Sequence, residues 1–181
     1  MEVPDQRLQA ATFEDLAMPL FDQLYNFAHW LTQDTAEAED LVQETYVKAL
    51  RGFSSFQLGT NFRAWMYRIL RNSFLSSRTG LKATVPLEDE DHDTIVDTAA
   101  PTPESVIIAQ SDRAVVQNAL AELPVHFREI LLLCEVEEMS YQEIAQTLSI
   151  PAGTVMSRLY RARKALRGLL QEEFAGGAHG V

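Results

Sequence analysis

Apolar residues recur along most of this chain at the three- and four-residue spacings of helices. Leu16, Leu20, Leu24, Phe27 and Leu31 form the first such stripe. Thr12 can cap a helix that starts at Phe13, and Pro19 marks a break or kink near its front. Thr32, Gln33 and Asp34 read as a turn, after which Asp34 or Thr35 can cap a second helix from about Ala36 to Leu50. Ala38, Leu41, Val42, Thr45 and Ala49 group on one side of it, and Asp40, Gln43, Glu44 and Val47 on the other. Gly52 to Gly59 reads as a loop with two exposed phenylalanines, Phe53 and Phe56. A third helix follows from about Asn61 to Ser77, with Phe62, Met66, Ile69 and Ser73 on one side.

Periodicity then stops. Thr84 to Pro103 holds three prolines and reads as a flexible tether. It resumes with Val106, Ile107, Val115, Val116, Ala119 and Leu120, ends at Leu123-Pro124, and returns as a helix over Phe127 to Glu138. Ser140 and Glu143 have the spacing of a capping box, ahead of the short apolar stripe Ile144, Ala145 and Leu148. Ser149-Ile150-Pro151 interrupts that helix, and proline is tolerated where the next one opens. There Val155, Leu159, Ala162 and Leu166 recur at helical spacing. The prediction is an all-α protein of two small helical domains, residues 8–80 and 106–172. An acidic linker over 81–105 joins them, and 173–181 form a disordered tail.

The polar positions say what these helices could do. Between Ala152 and Leu170 there are five basic residues and no acidic one. A short helix, a tight turn and a second helix with a basic face is the helix-turn-helix arrangement for the major groove. An ordinary helical hairpin with a solvated face is the simpler alternative. On the third helix Asn61, Trp65, Arg68 and Asn72 share one edge, and Tyr67, Arg71, Phe74 and Arg78 another. Aromatics interleaved with Arg and Asn suit unpaired bases, through stacking, phosphate contacts and hydrogen bonds to base edges. Taken alone, that pattern fits core anchoring by Trp65 and Phe74 better. Asp40 and Glu44 repel one another at i and i+4, so they serve either a solvated face, with Lys48 compensating Glu44, or docking of a basic partner helix.

Composition narrows the options. The net charge of −11 excludes a generally basic nucleic-acid coat protein. Eight acidic residues and no Lys or Arg lie between Thr84 and Asp112, so the excess sits mainly in the linker. Cys134 is the only cysteine, which excludes an intrachain disulfide and a multi-cysteine zinc site. It reads as a buried small hydrophobe without basic neighbours to lower its pKa. The four histidines show no metal spacing. The sequence shows no phosphate-binding glycine loop or nucleophile elbow, no membrane-length apolar run and no signal-peptide core. The expectation is a cytoplasmic protein that is not an enzyme, binds no cofactor and does not insert into membranes.

Two blocks together resemble a family. DTAEAEDLVQETYVKAL with GTNFRAWMYRILRN resembles the second conserved domain of bacterial sigma factors. LPVHFREILLLCEVEEMSYQEIAQTLSIPAGTVMSRLYRARKAL resembles the fourth. Their close succession is similar to the extracytoplasmic-function (ECF) group. LGTNFRAWMYRIL and GTVMSRLYRARKALRGLL look like its thiol-oxidative-stress branch, whose members have a cognate anti-sigma factor, often a zinc-binding redox sensor. The resemblance implies that Asp40, Gln43, Glu44 and Val47 dock on the clamp helices of the largest subunit of core RNA polymerase, with the flap as a second contact. It implies that the Phe56 to Gly59 loop and Asn61, Trp65, Arg68 and Asn72 open the −10 element of promoter DNA. Thr154, Ser157, Arg158, Tyr160 and Arg161 would read the −35 element, with Arg163 and Lys164 on phosphates. The linker would thread the polymerase channels. Two places depart from the family pattern: Met156 replaces a basic or polar residue, and TGLKATV after Arg78 is less basic. The rival readings are a stand-alone helix-turn-helix regulator, which would bind DNA tightly without polymerase, and a sigma-mimicking interaction protein.

Overall fold

The computed structural model describes residues 12–79 and 110–177. Every element among them is helical. The linker prediction for 81–105 lies outside these residues.

The N-terminal unit is built by its punctuation. Thr12 and Asp15 form a reciprocal capping box that starts α1 (Phe13–Ala17). Pro19 falls in a single 3-10 turn, Met18–Leu20, before α2 (Phe21–Thr32). Gln33 ends α2 in the left-handed conformation, φ 59°. Asp34 then caps α3 (Thr35–Gly52), its carboxylate accepting the Glu37 N–H at 2.8 Å. Asn61 does the same for α4 (Phe62–Thr79), accepting the Ala64 N–H at 2.9 Å. The predicted stripes of α2 and α3 meet as one core, with Leu24, Phe27 and Leu31 buried along with Leu41 and Val42. On α4 the buried side is wider than predicted: Tyr67, Leu70 and Phe74 join Phe62, Met66 and Ser73, and Ile69 is only half-buried. Phe74 is therefore a core anchor. Phe53 and Phe56 are half-buried rather than exposed. They pack with Phe13, Phe62 and Trp65 at ring separations of 4.9–6.2 Å, because the loop folds as a 3-10 turn over the start of α4.

The C-terminal unit comprises α5 (Gln110–Glu122), α6 (Val125–Leu131), α7 (Tyr141–Leu148) and α8 (Ala152–Gly177). The single helix expected over Phe127 to Glu138 instead starts at Val125 and widens to a π turn over Leu132–Val136. The Glu137 N–H reaches back five residues to the Leu132 carbonyl, and that of Met139 six residues to Leu133, each at 3.0 Å. The capping box of Ser140 and Glu143 is formed, and Ser149 closes α7 in the left-handed region, φ 56°. The predicted tail needs correction in part: Glu173 to Gly177 continue α8, and 178–181 lie outside the described residues.

Arg128, 8% exposed, ties the units together. It donates to the carbonyls of Leu120, Ala121 and Leu123 behind it and of Leu31 at the end of α2, at 2.6–3.1 Å. Burial pushes its pKa down, and nearby Arg78 adds to the effect. Arginine nonetheless stays charged, as those carbonyl contacts require.

Candidate nucleic-acid interface and docking face

Three surfaces carry the predicted site residues. On α3, Asp40, Gln43, Glu44 and Val47 are all exposed, and Leu50 extends the stripe. Glu44 pairs with Lys48 at 2.5 Å, but both side chains are half-exposed, so the pair contributes little. Beside the stripe lies an open recess between α3 and α4, lined by Asp40, Leu41, Glu44, Phe74 and Arg78 among others. Arg78 bridges to Glu37 at its edge. An exposed carboxylate row next to apolar Val47 and Leu50 suits a helix that offers cations and small apolar groups.

The second surface is the edge of α4, and there the C-terminal unit is packed against it. Asn61 donates to Glu143 Oε1 at 3.0 Å, and Arg68 donates to the Gln146 carbonyl at 2.9 Å, so both are engaged by α7. Trp65 is half-buried against Phe56 and Phe62, while Asn72 is exposed. The neighbouring edge carries the stronger contacts. Arg71 makes a two-pronged bond to Glu129 at 2.7 and 3.0 Å, and the Glu129 side chain is 1% exposed. Glu137 accepts from the Tyr67 hydroxyl and, at 3.2 Å, from Arg63. Burial pushes the Glu137 carboxyl up against the opposing pull of Tyr67 and Arg63. The Tyr67 hydroxyl is likewise raised, by burial first and then by Glu137.

Sequence reasoning missed Glu129, Glu137 and Glu143 as partners of α4. A signal was present: Glu129 and Glu137 are two of the four glutamates in the largely apolar run FREILLLCEVEE, where a buried carboxylate requires a cation. Glu143 titrates accordingly. The Ser140 N–H and then Asn61 hold its carboxyl below the usual range. A lowered folded-state pKa stabilises above the ordinary value of 4.5 and loses that contribution as pH falls through the folded value. The urea-midpoint advantage of the wild type over Glu143→Gln should therefore shrink as pH falls below 4.5. A difference independent of pH would contradict the assignment.

The third surface is the outward side of α8. Met156, Tyr160, Arg161 and Lys164 are exposed, and Thr154 and Ser157 are half-buried, with Ser157 donating to the Thr154 carbonyl at 3.1 Å. Arg158 is corrected as a groove contact. It is 3% exposed beside Leu159, so its side chain lies on the packed side of α8. Arg163 is held by Glu135, with Nε at 3.0 Å, and lies 3.7 Å from the Cys134 sulfur. Cys134 thus has a basic neighbour after all. Its thiol is still pushed up, because burial and Glu135 outweigh Arg163. Among the described residues no group of three His, Cys, Asp or Glu could hold a metal, and no helix is long and apolar enough to cross a membrane.

The family profile described as Sigma-70 region 2 matches residues 16–83, and that of Sigma-70 region 4 matches residues 113–166. The chain is 37% identical to the ECF RNA polymerase sigma factor SigE of Mycolicibacterium smegmatis, over 88% of this chain and 65% of that relative. It is 30% identical to the RNA polymerase sigma-H factor of Pseudomonas aeruginosa, over 92% of this chain and 90% of that one. Among solved structures it is similar to the sigma factor RpoE of Bartonella quintana, crystallised with the anti-sigma factor NepR. The TM-score is 0.66 and the identity 32%, covering 87% of this chain and 98% of that one. Two region matches in order, each on its own helical unit, and relatives matched along most of the chain lead to one conclusion. This chain belongs to the ECF group of RNA polymerase sigma factors.

Proposed function

We propose that this protein gives core RNA polymerase its promoter specificity and is not itself an enzyme. The exposed α3 stripe docks on the clamp helices of the largest subunit, α8 reads the −35 element, and the edge of α4 captures unstacked −10 bases. The observation that carries this reading is the separation of three surfaces of different chemistry on two family-matched units. One is acidic and apolar, one is aromatic with Arg and Asn, and one is basic on a helix-turn-helix.

The packing of α7 over Asn61 and Arg68 supports a free form that withholds its −10 residues from DNA until the units separate. Each base-edge contact contributes about 1–3 kcal/mol, so the two modules need joint engagement on polymerase. A cognate anti-sigma factor is a second partner, as for the Bartonella quintana relative solved with one. The protein works in the cytoplasm, where the polymerase is. The branch that answers thiol oxidative stress is favoured by the two motif pieces quoted above.

Docking is tested by reversing the stripe. Asp40→Arg with Glu44→Arg should weaken core-polymerase binding at least about tenfold, since like-charge juxtaposition across an interface costs several kcal/mol. Both side chains point to solvent, so thermal stability should barely change. Unchanged capture by core polymerase would reduce the stripe to a solvated face.

A further inference from the structure

We infer that Met156 is a specificity-determining residue that reads the C5-methyl group of a thymine in the −35 element. This rests on the reading of α8 as the −35 helix. Recognition helices of this arrangement meet base edges with their N-terminal residues. In α8 that end carries no exposed charge. Arg158 is buried, Arg163 is held by Glu135, and the first exposed cations are Arg161 and Lys164, in the third turn and beyond. What the first two turns offer is Thr154, Met156 and Ser157, with Tyr160 one turn beyond Met156 on the same face.

Met156 is 58% exposed and Tyr160 53%, although their neighbours Val155 and Leu159 are fully packed. An exposed methionine is not needed by the core, and its thioether is only a weak acceptor. Against guanine, adenine or cytosine it would cover polar edge atoms without replacing their hydrogen bonds with water. The thymine methyl is the one apolar feature of the major-groove edge. A flexible, polarizable side chain fits around it, and the Tyr160 ring can wall its far side. The exposed cation Lys164 suits a flanking phosphate, so the groove is the occupant that matches both chemistries.

The test uses the full chain with core polymerase on its best promoter from a library randomised at the −35 element. Each −35 thymine, on either strand, is then replaced by uracil, which removes only the methyl group. With the wild type, one position should lose about fourfold in open-complex formation, the value of burying one such group. Met156→Ala should bring the thymine-to-uracil ratio to about one at that position, and Met156→Leu should keep it above one. A ratio of one at every thymine with the wild type would overturn the inference. So would a ratio that survives in Met156→Ala, or a selected −35 element without thymine. Absence of promoter-specific initiation on unmodified DNA would instead sink the −35 reading beneath it.

Discussion

Glu129→Ala should shift the free protein from the packed arrangement of its two units to a separated one. In the packed form the Glu129 carboxylate is buried and meets Arg71 through two bonds. Removing one partner of a buried pair costs about 3–5 kcal/mol, because the other charge is left without compensation. Here that cost falls on the packed form alone, since separation returns Arg71 to water. Adding Glu137→Ala removes the acceptor of Tyr67 and the carboxylate partner of Arg63, which keeps only the main-chain carbonyl of residue 137, and should extend the effect. Small-angle scattering should report a larger radius of gyration for the single variant and a still larger one for the double. The change should persist in a variant whose helical content is unaltered. An unchanged radius in both variants would show that apolar contacts, and not these ion pairs, hold the units together.

Arg128→Met should be the most damaging single substitution to stability. The guanidinium serves four main-chain carbonyls at the ends of two helices, where the last turn leaves acceptors without partners. Methionine preserves most of the apolar stem and no donor. Each buried acceptor left without its bond costs about 1–3 kcal/mol, so a total of at least about 3 kcal/mol is expected, with some relief from water at the exposed edge. That is a large share of the 5–15 kcal/mol typical of a domain. Arg128→Lys should recover only part of it, since an ammonium cannot span a planar fork. The check is the urea midpoint of each variant. A loss below about 1 kcal/mol would mean that water replaces the guanidinium at little cost.

Much of this was legible in the sequence, where local rules act within a few residues. Thr12 and Ser140 cap the helices expected of them, and Asp34 rather than Thr35 caps α3. The stripes of α2 and α3 meet in the core, whereas α4 also buries Tyr67, Leu70 and Phe74 from outside its predicted stripe. What escaped is long-range or sub-helical. Phe53 and Phe56 are covered by Phe13 and Trp65, which nothing in the local sequence indicates. Arg158 was placed on DNA because it sits one step from the apolar stripe, and a turn of 100° per residue leaves such edge positions ambiguous. The pairing of α4 with Glu129, Glu137 and Glu143 joins residues 58 to 82 apart in sequence, beyond the reach of any periodicity. That pairing also explains why Asn61 and Arg68, read as −10 residues, are occupied in the free chain.

The central claim is most directly tested by transcription with purified core polymerase on a promoter library, with and without this protein. The account predicts initiation confined to promoters that share one −35 and one −10 element, and no tight binding of the same DNA by the protein alone. Core binding without any promoter-specific initiation would contradict it and favour a sigma-mimicking interaction protein. Tight sequence-specific DNA binding in the absence of polymerase would contradict it in favour of a stand-alone regulator.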